Sequence, residues 1–154
     1  SRSQALAWTA FQACNEGAFL IYAGQEAENT HTPSLFDLDK VDWGTYSLQS
    51  FLTKLCQIKK RDEIEKGSFH ILTATPAICA IWQTGQAGLF GVFNVAGTED
   101  SIPAPLADGE YTDLISGEFV SISQGRMPIP DRAAILSYSG EIDREKYTQP
   151  PVML

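Results

Sequence analysis

The chain has 154 residues, of which 44% are hydrophobic and 19% charged, and its formal net charge is −8. That length suits one full domain or one and a half, and that composition suits a folded globular protein rather than a disordered one. The longest cationic run is Lys59-Lys60-Arg61. Nucleic acid and anionic membrane surfaces, which are held by clustered Lys and Arg, are therefore not expected partners.

No apolar run approaches the roughly 20 residues that span a bilayer. The N-terminus lacks the charged-then-apolar pattern of a signal peptide, which favours a cytoplasmic location. The three cysteines, Cys14, Cys56 and Cys79, are odd in number, widely spaced and without a CxxC pair. They read as buried thiols in a reducing compartment, with no metal site.

In chain order, Ser3 to Asn15 places Leu6, Trp8, Ala10, Phe11 and Cys14 at near-helical spacing, with apolar residues on more than one side. This is a helix expected to be packed on two faces, with Gly17 as its stop. Ala18 to Ala23 is a continuous apolar run between Gly17 and Gly24. A strand without polar alternation is typical of a parallel sheet covered on both sides. Gln25-Glu26 stands directly after it, at the end of a strand where α/β folds place ligands. Asn29 to Lys40 is a polar loop with Pro33, closed by Val41-Asp42-Trp43-Gly44.

Tyr46 to Ile64 is the clearest helix, with Leu48, Phe51, Leu52, Leu55 and Ile58 on one stripe and cations near its C-terminus. After Gly67 the period changes, and a boundary is expected there, dividing the chain into 1–66 and 67–154. Phe69–Thr73, Ala77–Thr84, Gly88–Val95, Tyr111–Ile115, Phe119–Ile122 and Ala133–Tyr138 read as strands. Pro76, Gly85-Gln86, Asp108-Gly109, Ser116-Gly117 and Gln124-Gly125 mark turns between them. About seven strands result, the usual number for an antiparallel sandwich. Ile102-Pro103-Ala104-Pro105 reads as a connecting loop, since proline cannot donate to a central ladder. Glu141 to Leu154 reads as a surface tail.

Four features in order make a more specific pattern. They are the apolar strand ending Tyr22-Ala-Gly-Gln-Glu26, the loop Val41-Asp-Trp43, the helix ending Leu55-Cys-Gln-Ile-Lys59, and the β unit with Phe93-Asn94-Val95 and Asp108-Gly-Glu-Tyr-Thr-Asp-Leu-Ile-Ser-Gly117. Together they resemble the C-terminal end of the α-amylase family of glycoside hydrolases. The resemblance covers nearly the whole chain and is strongest over 19–26 and 109–117.

It implies an α+β architecture: the last helix–strand–helix of a (β/α)8 barrel followed by an antiparallel β-sandwich, domain C. It also implies that the catalytic carboxylates lie on earlier barrel strands, the last of them in an Asn-His-Asp motif. His31 and His70 are followed by Thr32 and Ile71, so neither belongs to such a motif. A barrel needs about 250 residues, so the resemblance implies a fragment that is inactive alone, whose parent is a retaining enzyme acting on α-glucan. The expected partners are the remainder of the barrel, α-glucan in the parent, and a second copy of the fragment. No cofactor is expected.

Candidate residues each carry a plainer alternative. Tyr22, Gln25 and Glu26 would line the mouth of a sugar site, or serve as structural residues at a strand end. Glu26 would bind a sugar hydroxyl or hold a neighbouring loop. Trp43 would stack on a sugar or cap the last helix. Asp37, Asp39 and Asp42 have the close spacing that suits hard cations, but lack the Gly and bidentate Glu of a known cation loop, which favours a solvated loop. Trp82 reads as sandwich core. Asp113 and Glu118 read as solvated turn residues. Left without a barrel, residues 3–64 should expose Leu6, Phe11, Ile21 and Phe51, so that either the fragment dimerises or 3–24 repacks onto the sandwich. A carbohydrate-binding module and a purely structural module are the alternatives of different class.

Overall fold

The structure is a computed structural model that describes residues 1–140 and 142. Most of the expected tail, 141–154, lies outside the described residues. Three helices precede eight strands: α1 (Arg2–Cys14), α2 (Gln49–Lys59), α3 (Asp62–Glu65), β1 (Ser68–Thr73), β2 (Ile78–Thr84), β3 (Ala87–Phe93), β4 (Ser101–Pro103), β5 (Gly109–Thr112), β6 (Phe119–Ile122), β7 (Arg126–Pro128) and β8 (Ala133–Ser139). The main sheet is antiparallel in the order β1-β2-β3-β8, and two two-stranded ladders, β4-β7 and β5-β6, lie apart from it.

Strand periodicity organises the molecule into three layers. Successive side chains of a strand point to opposite faces. From one face of the main sheet, Cys79, Ile81, Phe90, Val92, Ala134 and Leu136 pack against Ile102, Ile122 and Met127 of the short ladders. From the other face, Ile78, Ala80, Trp82, Leu89, Phe93 and Ile135 pack against Ala10, Ala13 and Cys14 of α1, and Leu55 and Ile58 of α2. This double cover explains why β2 and β3 are apolar almost throughout. Trp82 is 1% exposed, stacked on Phe69 and edge-on to Phe93, so its expected place in the core holds.

α1 begins with a capping box in which Ser1 and Gln4 satisfy each other's backbone amides. Gln4 also donates to the Val95 carbonyl at 3.2 Å and Ser3 to Asp131 at 2.9 Å, tying the helix to the sandwich. Lys59 donates to the Asn15 carbonyl at 2.7 Å and joins the ends of α1 and α2.

Several expectations are corrected. The run Ala18–Ala23 is not a strand: residues 18–22 have no regular secondary structure, Ala23 lies in a turn, and no strand among the described residues pairs with the run. The single helix expected over 46–64 is two, broken at Lys60-Arg61. Ile102-Pro103 is not loop but part of β4, a strand laddered only to β7, which leaves the open edge a proline requires. The strand expected over 111–115 ends at Thr112, and Asp113, expected to be solvated, is 4% exposed.

Of the four side chains expected to be bare, Leu6 is buried, and Phe11 and Phe51 pack on the helix–sheet core; only Ile21 is open. α1 is thus seated on the sandwich. Trp8, expected in an apolar setting, is 46% exposed. Cys14 and Cys79 are buried and in no disulfide, whereas Cys56 is half-buried. Among the described residues no helix is long and apolar enough to cross a membrane.

Candidate functional site

The site is built on the turn that follows the unpaired run. Gly24 takes φ +93°, and a Cβ there would come within 2.9 Å of Val41, so glycine alone lets the chain reverse so close to the returning loop. Gln25–Ala27 then make one 3₁₀ turn, with the Ala27 and Asn29 amides donating to the Gly24 carbonyl at 3.1 and 3.0 Å. The Glu26 carbonyl accepts from the Leu48 amide at 3.0 Å, which fixes the start of α2.

Glu28 is the knot of this region. Its carboxylate accepts from Arg2 of α1, one of the two bonds at 2.9 Å, and from the Ser47 hydroxyl ahead of α2. Those bonds, chiefly Arg2's, hold its carboxyl at about 2, far below the ordinary carboxylate value.

A cleft of about 570 Å³ opens between the turn and the returning loop, with Tyr22, Gln25, His31, Asp37, Asp39 and Val41 in its wall. Tyr22 and Gln25 lie side by side in that wall, and the Gln25 side-chain oxygen accepts from the Tyr22 amide at 3.3 Å. Glu26 is outside the wall, and its carboxylate accepts from the Gly24 amide of its own turn at 3.1 Å. Trp43 is outside the wall and stacks on Tyr46, with ring centroids 6.1 Å apart.

The three aspartates of the loop each hold local backbone or side chains. Asp39 accepts from the Ser34 amide and contacts His31 Nε2, both at 2.8 Å. Asp37 accepts from the Ser34 hydroxyl at 3.4 Å, and Asp42 from the Gly44 amide at 3.2 Å. Among the described residues no cluster of three or more His, Cys, Asp or Glu has the geometry to hold a metal ion.

Glu28 was not singled out from sequence, and Asp39 was weighed only with Asp37 and Asp42, not as the partner of His31. An Asx turn at Asn29, whose side-chain oxygen accepts from the His31 amide at 2.9 Å, is the local signal that could have marked that pair. Nothing local marks Glu28, whose partners lie 26 and 19 positions away.

Hydrogen bonds hold several carboxylates of the helical segment in the charged form. The Ser34 amide, followed by His31, holds the Asp39 carboxyl below its ordinary value, and Arg61 does the same for Glu63. With Glu28, these carboxyls are displaced downward, the reverse of what a general acid needs near neutrality.

The fold is an antiparallel β-sandwich with α1 and α2 packed on one face of its main sheet. Residues 69–136 match the family model described as bacterial alpha amylase C-terminal domain. With the fold, that match, which covers less than half of the chain, supports a C-terminal part of an α-amylase-family protein. No curated protein sequence matches it.

Among solved structures, an alpha-amylase from Lactobacillus plantarum superimposes with a TM-score of 0.79 at 21% identity, over 90% of this chain and 34% of that one. The maltogenic alpha-amylase AmyB from Thermotoga neapolitana gives 0.69 at 20% identity, over 90% and 37%. An Anoxybacillus alpha-amylase gives 0.66 at 17% identity, over 91% and 33%. The chain thus spans about a third of the length of these structures.

Proposed function

We propose that the chain is the closing part of a glycoside hydrolase acting on α-glucans. In this reading residues 1–66 supply the last helix–strand–helix of a (β/α)8 barrel, and residues 67–154 form the sandwich that holds those helices in place. The catalytic carboxylates belong to the rest of the barrel, and the chain alone does not hydrolyse glucan. Tyr22 and Gln25 line the edge of the sugar site in the assembled protein.

One observation carries the reading. The run 18–23 lies between two helices whose inner faces are locked onto the main sheet, yet it is itself unpaired, with Leu20 79% and Tyr22 65% exposed. A strand apolar on both faces and without neighbours is what remains when the other strands of a parallel sheet are elsewhere. The test is release of reducing ends from maltodextrin by the purified chain. None is expected; sustained release that is abolished by Asp39→Asn would contradict the proposal.

A second reading, a carbohydrate-binding module, has the Trp43–Tyr46 stack behind it, with each ring nearly half exposed. Retention on insoluble starch that disappears in Trp43→Ala would favour it.

A further inference from the structure

His31 is fixed more firmly than an open side chain ordinarily is. Its backbone amide donates to the Asn29 side-chain oxygen at 2.9 Å, and its Nε2 meets Asp39 at 2.8 Å. Asp39 is in turn anchored by the Ser34 amide at 2.8 Å. Even so, 65% of the His31 side chain is open to solvent, and it stands in the wall of the cleft of about 570 Å³. An ion pair or hydrogen bond this exposed stabilises a fold very little. A polar group held in place beforehand does, however, lower the entropic cost of binding a ligand.

The carboxylate decides what the ring offers. Asp39 accepts, so Nε2 carries the proton, and Nδ1 of the neutral ring is left as an acceptor. In the same wall, Gln25 uses its side-chain oxygen on the Tyr22 amide at 3.3 Å, which leaves the two N–H donors of its side-chain amide. Tyr22 adds an aromatic ring that is 65% exposed.

An acceptor, a donor and an aromatic face in one wall match a sugar, whose hydroxyls both give and accept and whose C–H face stacks on a ring. An anionic ligand is disfavoured, because Lys40 is the one lysine or arginine among the described wall residues and shares the wall with Asp37 and Asp39.

We propose that His31 is a sugar-binding residue of this cleft, its Nδ1 accepting from one glucan hydroxyl while Gln25 donates to another, and that Asp39 is the positioning residue that fixes the ring. This inference rests on the reading of the chain as part of an α-glucan hydrolase and names two groups of that site which the reading leaves unassigned.

Titration of the purified, isotope-labelled chain with maltoheptaose tests it, with nuclear magnetic resonance read on the imidazole nitrogens of His31 and, as a control, of His70, which is outside the cleft wall. The wall is made by this chain itself, so binding does not wait on the rest of a barrel. The expected result is a saturable shift of the His31 nitrogens with His70 unmoved, and an affinity roughly 3- to 10-fold weaker in His31→Ala. His31→Gln, which keeps an acceptor, should regain part of that loss. In Asp39→Asn the free protein's His31 nitrogens should move toward a mixture of tautomers, and affinity should fall with the near-ultraviolet circular dichroism spectrum unchanged. An unaltered tautomer in that variant overturns the role of Asp39. Binding that leaves the His31 nitrogens unmoved, equal affinity in His31→Ala, or no binding at all overturns the role of His31 and leaves the hydrolase reading standing. Cleavage of the maltoheptaose by the chain overturns the reading itself.

Discussion

The two halves of the helical segment are built from similar residues and meet opposite fates. α1 and α2 bury Ala10, Ala13, Cys14, Leu55 and Ile58 under Trp82, Leu89, Phe93 and Ile135. Between them, residues 18–46 carry Leu20, Tyr22, Leu35, Phe36 and Leu38 into solvent. Hydrophobicity alone does not separate the two regions. What separates them is cover: both faces of the main sheet are packed, whereas much of the turn and loop after residue 17 is open to solvent among the described residues.

Substitutions sharpen that contrast, the largest effect first. Trp82→Ala removes the centre of the helix–sheet core and should cost about 3–5 kcal/mol in chemical denaturation. Loss of less than about 1 kcal/mol would mean that α1 and α2 are only loosely seated.

Asp113→Ala should cost about 2–3 kcal/mol. Its carboxylate accepts from the amides of Ile115, Ser116 and Ile135 at 3.1, 3.0 and 2.8 Å and from the Ser116 hydroxyl at 2.7 Å, so truncation leaves buried donors unmet.

Glu28→Gln should act through pH. Because the fold holds Glu28 at about 2 against an ordinary 4.5, its contribution is complete above pH 4.5 and is lost as pH falls toward 2. The variant should flatten that part of the stability profile and leave the neutral-to-alkaline part unchanged in shape. Phe36→Ser, at a bare position, should change stability by no more than about 0.5 kcal/mol.

Smallest of all is a labelling difference. Burial pushes the Cys14 thiol up to about 12, against a smaller opposing effect of Lys59, while Cys56 is half-buried. A thiol reagent at neutral pH should therefore modify Cys56 in the native protein and leave Cys14 intact until unfolding.

Much of the sandwich is legible in the sequence because its signals are local. Phe119–Ile122 is a strand with the expected bounds, and the Gln124-Gly125 turn after it takes positive φ at both residues, as a two-residue hairpin of this type needs. The α2 stripe of Leu48, Leu52, Leu55 and Ile58 is buried as its spacing implies.

What was not legible depends on distant chain. Asp113 looks like a turn residue until β8, 22 positions on, supplies the Ile135 amide. β4 and β7 are three residues each and too short for any period to show. The run 18–23 has the composition of a buried strand, yet no strand among the described residues pairs with it. Of the site, Tyr22 and Gln25 were legible from their place at the end of an apolar run. The Glu28 knot was not, since it joins α1, the turn and α2 across long separations.

Hydrogen exchange of the isolated chain, followed peptide by peptide, tests the contrast most directly. Amides of α1, α2, β2, β3 and β8 should exchange slowly and together, while those of residues 18–23 exchange orders of magnitude faster. Protection over 18–23 equal to that of β2 would mean that this run already has its partner, and the account of an open barrel edge would be wrong.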